Sequence, residues 1–313
     1  MTKRLVALPI AMIALAAFVP GIANATNFNT SATIAIQGPT GNAFGGKVNS
    51  PVGACKTNRT VILKRKNPGS ANFVNAGSDH SASNGDWKVN SVPIAGAQYR
   101  AQVTVKNLSG GDKCNAATST TVTARPTTST IAIGVPLGNS FKGVVNSTVT
   151  GCESARLVTL QRKLVGGTSF ANLGNDASAG SGAWEVPTNP VNNAQYRGFV
   201  SAKQVGSNAC MAATSPVTTA RNSAATIAQG ANNFHGNVNS IAACEPNRTV
   251  TLQRRGIYEA AFSNIGTDAT NASGGWLVST TPISGASYRA FVGARQVGAN
   301  SCLDDFSNVI VAS

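Results

Sequence analysis

Six cysteines, three tryptophans and a set of arginines recur at fixed offsets along the 313-residue chain, and their chemistry has to be weighed first. Cys55, Cys152 and Cys244 each precede a second cysteine, Cys114, Cys210 and Cys302, by 59, 58 and 58 residues. Two thiols per copy can ligate zinc or form a disulfide. Zinc needs clustered thiols and imidazoles, whereas the chain has no C-x-x-C and only His80 and His235, at unrelated places in their copies. Equal spacing in self-contained copies predicts the disulfides Cys55–Cys114, Cys152–Cys210 and Cys244–Cys302. On the chain-entropy model each stabilises its domain by about 4 kcal/mol.

Catalysis finds little to work with. Ser78-Asp79-His80 has the three names of a hydrolase triad, but neighbours in sequence cannot point together at one substrate, and the other copies read Asn175-Asp176-Ala177 and Thr267-Asp268-Ala269. No phosphate loop, His-x-x-x-His or calcium loop is present, and neither Asp304-Asp305 nor Asn84/Asp86 recurs. No catalytic residue, metal or cofactor is expected. The polar columns that do recur are Arg59/Arg156/Arg248, Arg65/Arg162/Arg254 and Arg100/Arg197/Arg289, with Asp79/Asp176/Asp268 ahead of each Trp. A guanidinium binds a carboxylate bidentately, so an ion pair between that Asp and one Arg column is expected in each copy.

The elements that must hold these residues are short. Alternating runs separated by Gly, Asn, Ser and Pro predict strands near Thr33–Ile36, Ala43–Asn49, Thr60–Lys66, Trp87–Asn90, Tyr99–Lys106 and Thr120–Thr123, with a weaker one near Phe73–Ala76. Val61 and Leu63 face one way, Ile62 and Lys64 the other; Tyr99, Ala101, Val103 and Val105 form one row against Arg100, Gln102 and Thr104. Trp87, Trp184 and Trp276 each alternate with a Val, which marks them as core anchors rather than stacking platforms. The chain is thus all-β, three tandem seven-stranded β-sandwich domains over residues 33–125, 130–221 and 226–312, each large enough to close a core. The links Arg125-Pro126-Thr127-Thr128-Ser129 and Arg221-Asn222-Ser223-Ala224-Ala225 are too short for free movement.

Residues 1–25 combine Lys3 and Arg4, an apolar run and Ala23-Asn24-Ala25, the pattern of a secretory signal cleaved after Ala25. A secreted, disulfide-bearing protein without a transmembrane anchor is expected. The formal charge is +14, unevenly spread. Residues 26–125 carry 11 basic and 3 acidic side chains, 126–221 carry 7 and 3, and 222–313 carry 5 and 5. A basic first copy attracts polyanions, which makes Lys56, Lys64, Lys66, Lys106 and Lys113 candidate binding residues for an anionic cell-wall polymer. Arg197 with Phe199, and Arg289 with Phe291, are candidates for a glycan or another surface protein. Nucleic acid is not expected as a partner outside the cell.

The runs Phe44-Gly45-Gly46-Lys47-Val48, Arg59-Thr60-Val61-Ile62-Leu63, Asn84-Gly85-Asp86-Trp87-Lys88-Val89 and Ala97-Gln98-Tyr99-Arg100-Ala101 resemble the strand and turn motifs of carboxypeptidase regulatory-like, transthyretin-like sandwiches. They also resemble tandem disulfide-bearing repeats of secreted bacterial proteins. The cysteine pair is not part of the general pattern, so transthyretin-like and Ig-like topologies both stay open. The resemblance implies a module for spacing, binding or stability. The expected function is a non-enzymatic secreted or cell-surface spacer or adhesion-type binding array, with a carbohydrate-binding array as the alternative.

Overall fold

The computed structural model describes residues 25–313, so the segment expected to be a secretory signal lies, apart from Ala25, outside the described residues. The first repeat consists of β1 (Asn27–Phe28), β2 (Ser31–Ala32), β3 (Ala35–Gln37), β4 (Ala43–Asn49), β5 (Thr60–Lys66), β6 (Val74–His80), β7 (Asp86–Asn90), β8 (Gln98–Val103), β9 (Lys106–Asn107), β10 (Lys113–Cys114), β11 (Ala117–Thr118) and β12 (Val122–Arg125). β2 and β3, two halves of one interrupted strand, pair with β4, and β4 pairs with β7. In the opposing sheet β6 pairs with β5, β5 with β8, and β8 with β11 and β12. Taking the interrupted pairs as one strand each, three strands face four in a seven-stranded sandwich. The other two repeats have the same pairing around Leu157–Lys163 and Thr249–Arg255.

Alternation explains the packing. Val61 and Leu63 of β5, Trp87 and Val89 of β7, and Tyr99, Ala101 and Val103 of β8 all turn inward onto Phe44 and Val48. Tyr99 stacks on Phe44 with ring centroids 4.2 Å apart, and its hydroxyl accepts a bond from the Ile94 amide at 2.9 Å. Tyr196 and Tyr288 repeat that bond to Val191 and Ile283. This tyrosine corner, a hydroxyl tied to backbone just upstream of its own strand, is a hallmark of immunoglobulin-like sandwiches. Gly85 supplies the turn ahead of Trp87 at φ +88°, where a Cβ would lie 2.2 Å from the Val48 carbonyl oxygen.

Two expectations are corrected. The weak strand near Phe73–Ala76 is β6, starting at Val74 and running through Asp79 to His80. Val105 does not join the inward row: β8 ends at Val103, and Val105 is 45% exposed. The row breaks because Thr104 turns its carbonyl toward the Arg59 guanidinium.

The repeats are more than beads joined by linkers. β12 pairs antiparallel with β8 on one edge and parallel with Asn208–Cys210 of the second repeat on the other, in the register Thr123↔Asn208, Ala124↔Ala209, Arg125↔Cys210. The sheet of the first repeat thus continues into the hairpin of Lys203–Val205 and Asn208–Cys210. That hairpin acts as a plug. Gln204 Oε1 accepts from the Ile36 amide at 3.1 Å, the Ala202 amide donates to the Pro39 carbonyl at 2.8 Å, and Ala209 is buried in the first repeat's core. The second junction copies the first through Thr219↔Asn300, Gln296 on the Ile133 amide, the Ala294 amide on the Pro136 carbonyl, and Ala294 and Leu303 packed on the second core.

At the two outer ends the parts of this joint are altered. In the first repeat Asn107 and Lys113 stand at the positions of Gln204 and Ala209, and β1 occupies the edge of β10 that a preceding repeat would fill. In the third repeat Gln229 pairs with Phe234 where Ile36 and Ile133 pair with Phe44 and Phe141. The loop that receives a plug, residues 38–42 in the first repeat, shrinks to 230–232.

Candidate functional site

Behind each disulfide lies a buried arginine. Cys55 ends a 3-10 turn (Gly53–Cys55) and Cys114 ends β10; the bridge between them, like Cys152–Cys210 and Cys244–Cys302, stays within its repeat. Arg59 is only 1% exposed. It donates to the Cys55 carbonyl and to the Asn115 carbonyl, both at 2.8 Å, and also to the Thr104 carbonyl and the Thr30 hydroxyl. Arg156 spans Cys152 and Met211 in the same way, and Arg248 spans Cys244 and Leu303. Each guanidinium therefore ties the residues on either side of the disulfide together. Burial pushes Arg156 and Arg248 down to about 10 and lowers Arg59 as well.

The expected Arg–Asp pair is absent among the described residues, whose two ion pairs are Lys47–Asp86 and Arg254–Glu259. Asp79, Asp176 and Asp268 instead accept the backbone amides of Lys88, Glu185 and Leu277 at 2.7, 2.8 and 2.7 Å. The carboxylate pins β6, the edge of the four-stranded sheet, to β7 of the facing one. Asp176 and Asp268 also accept the amides of Ala177 and Ala269 at 2.8 Å each, and a sandwich offers the buried Arg a ring of carbonyls closer at hand.

The candidate lysines do not form one patch. Lys106 is spent on carbonyls, donating to Ala54 at 3.0 Å and Thr57 at 2.7 Å, and Lys203 and Arg295 cap the same loop in the other repeats. Lys56 follows the 3-10 turn, and Lys113 is exposed beside Cys114. Lys64 and Lys66 lie toward the other end of β5, on its outward face with Arg100 opposite Lys64. Ser78, Asp79 and His80 succeed one another along β6, with His80 near Thr60 and Asp79 bound to Lys88, so they do not converge.

The aromatic partners of the arginines were not singled out from sequence. Arg100, Arg197 and Arg289 lie over Phe73, Phe170 and Phe262 at 4.1, 4.0 and 4.2 Å. A second cation, Lys66, Lys163 or Arg255, flanks the same ring. Their signal is a constant offset of these Phe residues ahead of Trp87, Trp184 and Trp276. Phe291 packs against Phe306 in a tilted pair with centroids 4.7 Å apart, and Arg289 also covers Phe306; Phe199 is half-buried at the corresponding position.

Trp87, Trp184 and Trp276 are buried, 4, 2 and 4% exposed, and their indole nitrogens have no hydrogen-bond acceptor. Above each lies a shallow groove on the three-stranded sheet, of about 530, 550 and 380 Å³ in chain order. Gly46, Gly143 and Gly236 line it at points where a Cβ would meet the Thr33, Thr130 or Thr226 carbonyl oxygen at 2.1, 2.0 and 2.1 Å, and Lys47, Lys142 or His235 borders it. Among the described residues no three His, Cys, Asp or Glu side chains gather into a metal-binding cluster.

No family model matches the chain, and no curated protein matches it. Solved structures with similar arrangements include the FN1–FN3 domains of chicken CNTN1, at 11% identity and a TM-score of 0.27 over 91% of this chain and 99% of that one. Domains A168–A170 of titin match at 11% identity and a TM-score of 0.21 over 91% and 98%. The BSP domain of a biofilm associated protein matches at 9% identity and a TM-score of 0.20 over 94% and 67%. Likenesses at these scores assign no function.

Proposed function

We propose that this chain is a non-enzymatic extracellular protein, a stiff three-sandwich array that serves as spacer and adhesion-type binder and presents a cationic first repeat to an anionic surface polymer. The observation that carries this reading is the strand-sharing joint. A spacer needs stiffness between domains, and sheet continuity with a plug in the neighbour's core supplies it. Three disulfides in one chain fit an oxidising compartment, and no helix among the described residues is long and apolar enough to cross a membrane. The motifs that resemble those of carboxypeptidase regulatory-like modules also support a spacing or binding role.

The three equivalent grooves above the tryptophans favour a second reading, a carbohydrate-binding array engaging one polysaccharide at repeated intervals. Retention of the chain on immobilised polygalacturonate and on a neutral β-glucan, over a range of salt, separates the two. The first reading expects retention on the anionic matrix that fades steeply as salt screens it. Salt-resistant retention on the neutral glucan would replace it with the second, and failure to bind either matrix would remove the binding role.

A further inference from the structure

On the outward face of the four-stranded sheet, the second and third repeats build the same closed polar chain. Arg197 Nε donates to Gln161 Oε1 at 2.8 Å, and Gln161 Nε2 donates to Asn172 at 2.9 Å. In the third repeat Arg289 donates to Gln253 at 2.7 Å, and Gln253 to Asn264 at 2.9 Å. Each arginine is thereby satisfied and rests its plane on Phe170 or Phe262. The first repeat departs at one position. Lys64 replaces the glutamine; it donates to Asn75 at 2.6 Å but offers Arg100 no acceptor. Arg100 Nε is left buried without a partner, and its cross-strand neighbour in the register Lys64↔Arg100 is another cation.

Like charges directly opposite on a sheet repel, and a buried donor without an acceptor costs stability, so the pair is unfavourable as it stands. Lys66, on the same face, adds a third cation against Phe73. None of Lys64, Lys66 and Arg100 has a carboxylate within ion-pair reach among the described residues. An oxyanion placed between Lys64 and Arg100 would relieve the repulsion and give the planar guanidinium the acceptor that Gln161 and Gln253 provide in the sister repeats.

We infer that Lys64, Lys66 and Arg100 form an oxyanion-binding site unique to the first repeat, which takes a phosphate or carboxylate group carried on a surface polymer. The inference rests on the binding role proposed above and locates it. The test is affinity of the full chain for polyphosphate and for polygalacturonate, the two sources of the oxyanion, at several salt concentrations. Lys64→Gln copies the sister repeats. It is expected to lower affinity for the preferred polymer about tenfold, to reduce the log–log salt slope by about one, and to leave the melting temperature unchanged or raised. Lys88→Gln removes the same charge from the other sheet and is expected to change affinity by less than about twofold. Gln161→Lys builds the site in the second repeat and is expected to strengthen binding.

Equal losses for Lys64→Gln and Lys88→Gln, with no gain from Gln161→Lys, would overturn the site while leaving a diffuse electrostatic binder. A wild-type chain that binds neither polymer would overturn the binding role itself. Tighter binding to duplex DNA than to both polymers would overturn the choice of ligand class.

Discussion

The buried arginines carry more of the architecture than their exposed-strand appearance in sequence suggests. Arg248 satisfies the carbonyls of Cys244, Gly293 and Leu303 and the Ser223 hydroxyl at once. Arg248→Ala removes every one of those donors and leaves buried acceptors unpaired, each costing about 1–3 kcal/mol, so a loss of at least 3 kcal/mol is expected in the third repeat. Urea unfolding followed by Trp276 fluorescence measures it. Arg248→Lys is expected to recover less than half, because a point charge with three donors cannot reproduce a planar fork; full recovery would show that charge alone suffices. A second residue-scale outcome concerns the position before each arginine. Asn58, Ala155 and Asn247 hold φ of +51°, +49° and +53°, a left-handed conformation that Asn tolerates and Ala resists. Ala155→Asn is therefore expected to stabilise the second repeat by about 0.5–1 kcal/mol in the same assay, with Trp184 as reporter.

Among the elements, the plug hairpin is the part whose role depends on small side chains. Ala209 is fully buried among Tyr99, Val122 and their neighbours in a core that belongs to the preceding repeat. Lys113 occupies the equivalent place on β10, where among the described residues β1 is the neighbour on that edge, and is exposed. Ala209→Lys is thus expected to force an unpaired ammonium out of the first repeat's core and to open the joint. The distinguishing readout is hydrogen exchange: protection should fall in β8 and β12, although the substitution lies in the second repeat. Unchanged protection there would mean that the cores are independent. The tryptophan strands lend themselves to a simpler measurement, because Trp184 packs against Gly143 and Gly198 in the middle of the second core. Trp184→Ala should cost about 3–5 kcal/mol.

For the whole molecule, shared strands make each repeat's stability depend on the one that follows. The second core contains Ala294 and Leu303, and Gln296 bonds both the Ile133 amide and the Thr218 hydroxyl. Removing the third repeat by ending the chain after Arg221 should lower the unfolding midpoint of the second repeat, read by Trp184, by more than it lowers that of the first. Independent domains would show no such asymmetry. The joint also has a direction: plug residues Gln204 and Gln296 sit in the second and third repeats, socket residues Ile36 and Ile133 in the first and second. Asn107 and Lys113 in the first plug and Gln229 in the third socket depart from the residues that make the joint inside the chain.

What the residues alone determined was local. The strand runs, the inward Trp-x-Val pairs and the disulfide partners follow from alternation and spacing that any copy of the repeat displays by itself. The strength of the fold's resemblance stopped at strand and turn motifs, and the tyrosine corner that marks the sandwich as immunoglobulin-like needed the bond from Ile94 to Tyr99 to be seen. Only tertiary structure decided the partners of charged groups. Arg59 looks like a strand-end cation beside Asp79, yet carbonyls brought together by the disulfide surround it, and the carboxylate goes to Lys88's amide. Hydrogen-bond partners depend on which backbones meet across sheets, and no spacing in one strand encodes that. The same holds for Lys64: as a letter it adds one charge to a basic stretch, and only its register opposite Arg100, where Gln161 and Gln253 face Arg197 and Arg289, makes it a cation that lacks an anion.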